Sequence, residues 1–126
     1  MTTSISTGPG RALIAVYGLF SLAAGSRAAV QILTKFDEAP LAYSLSALAA
    51  VVYIALTVAL WRGARTFALV GLVIELAGVL IIGTLSLLDP AAFPDETVWS
   101  VYGKGYVFIP LVLPVIGLFW VLRRRR

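Results

Sequence analysis

Four apolar runs separated by short charged links constrain this chain more than any other feature. They cover about residues 12–34, 41–61, 67–88 and 106–122. A helix rises 1.5 Å per residue, so about 20 apolar residues cross the ~30 Å of hydrocarbon in a bilayer. The first three runs reach that length and the fourth approaches it. Composition agrees, since 60% of the 126 residues are hydrophobic and 13% are charged, with a mean hydropathy of +0.98. A soluble domain is about half apolar and a quarter charged. A small soluble fold also keeps too much of its surface in water to hide this many apolar side chains. The expectation is an all-α membrane protein: a four-transmembrane-helix bundle in the plasma membrane, forming one domain over residues 12–122.

The links between runs refine that expectation. Residues 1–11 are polar and contain Gly and Pro, which reads as a flexible tail. Ser26-Arg27-Ala28 loosely resembles the cleavage site of a secretory signal peptide. A single Arg11 before the run and an arginine at the cut speak against that alternative. Lys35 to Pro40 and Arg62 to Thr66 read as tight turns, and Asp89-Pro90 ends the third run because proline biases its predecessor away from the helix.

Charge then sets a direction. With four spans, one side carries Arg11, Arg62, Arg65 and the basic end Arg123 to Arg126, with no acid. The other carries Lys35 and Lys104 with Asp37, Glu38, Asp89, Asp95 and Glu96. Basic residues favour the cytoplasmic side, so both termini are expected in the cytoplasm. Trp61, Phe67, Trp99, Tyr102, Tyr106 and Trp120 lie near the ends of the runs, as an interfacial aromatic belt would. Basic residues at span ends act as topology signals, so the net charge of +4 does not imply a nucleic-acid partner.

Missing residue types narrow the chemistry further. The chain has no cysteine and no histidine, so thiolate chemistry and the commonest metal ligand are both out of reach. No phosphate-binding glycine loop, nucleophile elbow, zinc-protease or calcium-loop pattern occurs. No catalytic residue, metal or cofactor is expected.

Against this background a few polar residues are out of place. Glu75 lies about 12 Å into the third span, where a carboxylate is costly and therefore a functional candidate. Gly71 and Gly78 share its helix face, and small residues allow another helix to approach. At the same depth the first span offers Tyr17 and Ser21, on a face with Gly18 and Gly25, and the second offers Tyr53 and Thr57. Glu75 with Tyr17, Ser21 and Tyr53 forms a candidate polar site. It is either hydrogen-bonded glue between helices or a proton- or cation-coupled binding site.

Arg27 and Gln31, four residues apart on the first span, form a second candidate, for an anion or lipid headgroup at the outer face. The plainer reading is that Arg27 snorkels outward or pairs with Asp37, Glu38 or Asp89. A pair with Glu75 is disfavoured, because the two Cα atoms differ by about 10 Å in depth and both side chains lean toward their helix N-termini.

The link from Asp89 to Gly105 is long for a helix–helix connection. Phe93, Val98, Trp99 and Tyr102 provide apolar anchors, and Asp95-Glu96-Thr97 could cap a short interfacial helix over about Glu96 to Tyr102. A structured external loop between helices 3 and 4 is therefore expected. Pro110 and Pro114 in the last span are expected to kink it and to free backbone carbonyls near the depth of Glu75.

The stretch from Glu75 through Asp89-Pro90, Phe93-Pro94-Asp95, Val98-Trp99-Ser100, Gly105-Tyr106 and Pro110 to Pro114 covers about half the chain. It resembles a group of small four-span integral membrane proteins of high-GC Gram-positive bacteria. The resemblance implies topology and no activity. One buried glutamate among four short spans is also similar to small multidrug transporters. Those carry it in the first helix, whereas here it is in the third, so their function does not carry over.

Three functions are compatible with these features. The first is a non-enzymatic accessory or assembly component whose partners are the lipid bilayer and a second copy or another membrane protein. The second is an oligomeric transporter or channel using Glu75. The third, weaker, is an outer-leaflet lipid-modifying enzyme near Arg27.

Overall fold

A computed structural model describes residues 8–92 and 99–123. Among these the chain is helical, with no strand, and four helices dominate: α1 (Pro9–Lys35), α2 (Pro40–Trp61), α3 (Arg65–Leu88) and α4 (Ile109–Arg123). The first three are long and apolar enough to cross a membrane, and α4 is a shorter apolar helix.

The local sequence explains the helix boundaries. Pro9 and Pro40 sit in the first turns of α1 and α2, where a missing N–H is harmless and the fixed φ suits a helix. Helix α1 thus starts before residue 12, and the last residues of the expected flexible tail are helical. It continues unbroken through Ser26, Arg27 and Ala28. Between α2 and α3 the chain reverses at Arg62-Gly63-Ala64. Gly63 takes φ of 67°, a conformation that favours glycine. The Gly63 and Ala64 N–H groups donate back to the carbonyls of Leu60 and Ala59, so the turn meets its own backbone needs.

The bundle is a serpentine. Helix α1 packs mainly along α2, α2 along α3 and α3 along α4. Both helices of the first pair carry small buried residues, Ala24 and Ala28 on α1 and Ala49 and Ala50 on α2, and small residues let backbones approach closely. The outside of the bundle is the reverse of a soluble protein's, with Leu33, Phe67 and Leu88 each at least 75% exposed. Exposed apolar surface on this scale marks a membrane or protein contact, and three of the helices have the length and hydropathy of membrane spans. One end of the bundle carries the Arg62 turn with the start of α1 and the finish of α4; the opposite end carries the two remaining links.

Two expectations for the last third of the chain are corrected. The fourth helix does not begin near residue 106. Val107 and Phe108 have φ of 57° and 59°, outside the right-handed helical region, and α4 starts at Ile109. Its 15 residues rise about 22 Å. The second correction concerns the short helix over about Glu96 to Tyr102. Its first part, with Phe93, Asp95, Thr97 and Val98, lies outside the described residues. Residues Ser100–Tyr106 form a 3-10 turn interrupted by left-handed backbone at Val101, Tyr102 and Gly103.

That turn packs against α3. The Val101 N–H donates to Ser86 Oγ at 2.8 Å, and the Tyr102 and Thr84 hydroxyls share a hydrogen bond of 2.9 Å. Left-handed backbone at a β-branched or aromatic residue costs about 1–3 kcal/mol, so these contacts hold the turn in place. The turn flanks the last turns of α3, where α4 has not yet begun.

Candidate functional site

The centre of the bundle is built around Glu75, which is 0% exposed. Its face of α3 also carries Leu72 and Val79, both fully buried, so the helical repeat that makes the core stripe turns the carboxyl inward. The Tyr17 hydroxyl of α1 donates to Glu75 Oε1 at 2.6 Å, tying the first helix to the third. Among the described residues, Glu75 Oε2 has no hydrogen-bond partner although it is buried.

Tyr53 of α2 completes the aromatic wall. Its ring lies 6.1 Å from that of Tyr17 and 5.6 Å from that of Phe20, centroid to centroid. Its hydroxyl accepts a hydrogen bond of 2.9 Å from the Trp99 indole N–H, and the two rings meet edge to face at 6.4 Å, a favoured aromatic geometry. Trp99 itself is 2% exposed. It occupies the gap left by Gly78, where an added Cβ would stand 2.4 Å from the indole ring.

Ser21 and Thr57 sit beside this centre. Ser21 Oγ donates to the Tyr17 carbonyl and Thr57 Oγ1 to the Tyr53 carbonyl, at 2.8 and 2.7 Å. The two hydroxyls stand 3.2 Å apart, so either can turn its single proton from its carbonyl to the other. They bind together the helical turns that bear the two tyrosines and do not reach Glu75.

The expected polar set is therefore divided. Tyr17 hydrogen-bonds Glu75, Tyr53 turns to Trp99, and Ser21 pairs with Thr57. Gly71 receives a neighbouring helix, since its added Cβ would lie 2.8 Å from Leu56 of α2. Gly78 receives a loop side chain instead of a helix. Gly25 has nothing near its Cβ position and takes no part in a close approach.

Trp99 was expected in an interfacial belt and is found in the core, whereas Trp61 and Phe67 keep the exposed positions such a belt requires. Tyr102 is half-buried, with its ring over Gly83, and the side chain of Tyr106 lies outside the described part. The pairing of Gly78 with Trp99 was not expected; a bare glycine beside Glu75 and an aromatic in the following link are both visible in the sequence, but neither alone identifies the other.

At the opposite end of α1, Arg27 is half-buried and Gln31 is 5% exposed. Gln31 faces the protein interior, and its Oε1 has no partner among the described residues. Glu75 takes its hydrogen bond from Tyr17. In α4, Pro110 lies in the first turn and Pro114 inside the helix. With Leu72 packed on Gly117, the antiparallel register brings Pro114 level with Glu75. Among the described residues no three His, Cys, Asp or Glu side chains come together.

No protein-family model, curated protein or solved structure matches this chain.

Proposed function

We propose that the chain is a four-span plasma-membrane protein with both termini in the cytoplasm, serving as a non-enzymatic accessory or assembly component. The closure of its polar centre carries this reading. Glu75, Tyr17 and Tyr53 are 0% exposed, and Glu75 Oε1 and the Tyr53 hydroxyl are satisfied from inside the bundle. Buried hydrogen bonds of this kind join helices in an apolar solvent, where packing and polar contacts replace the hydrophobic effect as the driving force. The exposed apolar girdle supports the membrane, and the segregation of Arg11, Arg62, Arg65 and Arg123 to one end supports the orientation. The resemblance to small four-span proteins fits the same topology. In this reading α4 crosses as a short helix completed by the 100–106 turn, whose non-helical backbone is tolerated because it packs against α3.

A second reading is favoured by one observation, the unpartnered Oε2 of Glu75. A buried carboxyl oxygen with spare acceptor capacity is what a proton- or cation-coupled carrier would use. Such a carrier would need more than one copy to enclose a path.

The two readings separate in one experiment. Wild type and Glu75→Gln are purified in detergent, sized, and reconstituted in liposomes under a proton gradient. The accessory reading expects no flux from either, with the variant changed only in stability. Proton-driven flux lost in Glu75→Gln would overturn it in favour of transport. Reporter fusions after Lys35 and after Lys104 are both expected outside the cell, and a cytoplasmic signal from either would break the four-span arrangement.

A further inference from the structure

An open groove lies between α2 and α3, toward the Arg62 end. Its volume is about 650 Å³. Ala55, Leu56, Val58 and Ala59 line one side, and Phe67, Val70, Gly71 and Ile74 the other, with Arg62 at the mouth. Ala55 and Ala59 on α2 are short, and Leu56 lies over Gly71, so the slot runs beside that contact. Its length follows from the helix rise, since Ala55 to Arg62 and Phe67 to Ile74 each run about 10 Å along their axes.

We propose that this groove is a binding site for one anionic phospholipid of the cytoplasmic leaflet, an acyl chain in the slot and the phosphate on Arg62. The proposal rests on the membrane orientation given above. Three observations select the occupant. The slot is apolar along its depth and polar only at its mouth, which is the polarity profile of a lipid and not of a soluble ligand. The mouth is cationic, with Arg62 and Arg65 flanking the turn and no acid anywhere between Glu38 and Glu75. The turn's own N–H groups at Gly63 and Ala64 are already used, so the exposed Arg62 guanidinium, which binds phosphate oxygens in pairs, is the recognising group. A helix from a second copy would fill the slot but would leave that guanidinium facing apolar side chains.

The test uses the full chain extracted from membranes in mild detergent and exchanged into phosphatidylglycerol or phosphatidylcholine, with bound lipid counted by native mass spectrometry. Wild type is expected to retain one phosphatidylglycerol per protomer in preference to phosphatidylcholine. Arg62→Gln should reduce that retention about fivefold, the equilibrium ratio equivalent to about 1 kcal/mol per arginine at an anionic surface. Ala55→Leu, which fills the slot from an exposed position, should reduce retention of both lipids, whereas Arg123→Gln at the same end should leave it unchanged. Helical circular dichroism of each variant checks folding. Equal retention of the two lipids, or no effect of Arg62→Gln in a folded protein, overturns the proposal. So does efficient cross-linking of two copies through Ala55→Cys, which would assign the groove to a dimer. Recovery of the chain in the soluble fraction would instead remove the membrane reading, and the proposal with it.

Discussion

Gly71 and Gly78 lie two helical turns apart on one face of α3, with Glu75 between them, yet their surroundings are opposite. At Gly78 the space left by the missing side chain is filled by the Trp99 indole, delivered by the link between α3 and α4 and held by its hydrogen bond to Tyr53. At Gly71 the tip of Leu56 covers the backbone, and the space beyond opens into the groove at the Arg62 end. Small residues on a helix face create room and do not specify what fills it. The outcome depends on whether the chain has an aromatic side chain within reach. The long link at one end supplies Trp99; the short Arg62-Gly63-Ala64 turn at the other supplies nothing.

Trp99→Ala removes the whole plug and should cost about 3 kcal/mol of stability, read as a large fall in the unfolding temperature in detergent. An unchanged midpoint would mean that the indole does not seal the core. Gly78→Ala comes next. The rigid indole must move away from the new Cβ, and overpacking of this kind costs about 1–3 kcal/mol. Tyr17→Phe deletes the one donor to Glu75 among the described residues, at about 1–2 kcal/mol. Glu75→Gln keeps an acceptor for Tyr17 and should cost less than Tyr17→Phe, an ordering that chemical unfolding of the two variants can reverse or confirm. Gly71→Ala should have the smallest effect, below about 1 kcal/mol, because the clash is with the end of a flexible leucine that can rotate into the groove. If Gly71→Ala proved as damaging as Gly78→Ala, the two sides of Glu75 would not differ in the way described.

Much of this fold is legible along the chain. The three long helices follow from run length, and the breaks between them follow from the links Lys35 to Pro40, Arg62 to Thr66 and Asp89-Pro90, because these depend on local backbone chemistry; the start of α1 at Pro9 falls inside the expected tail and does not follow from them. The inward direction of Glu75 is legible too, since an ionisable group on a helix otherwise lined with small and apolar residues has only one sheltered side. Less can be read where the backbone departs from regular geometry. The late start of α4 depends on left-handed residues at Val107 and Phe108, which no propensity favours, and the 100–106 turn exists because Ser86, Thr84 and Gly83 receive it. Likewise Tyr17 and Tyr53 stand at similar depth in the sequence, and only the helix rotations decide that one meets Glu75 and the other Trp99.

By itself, then, the sequence determined that this chain forms long apolar helices, carries its arginines at one end, and buries a single carboxyl group midway along α3. These properties are set by periodicity, length and charge, which act on each helix separately. The tertiary structure decided that Trp99 leaves the surface to cap the core, that Ser21 and Thr57 bind the tyrosine-bearing turns together, and that the α2–α3 seam stays open beside Arg62. Those outcomes need side chains from distant parts of the chain to compete for the same few ångströms of space, and that competition is settled only when the helices pack.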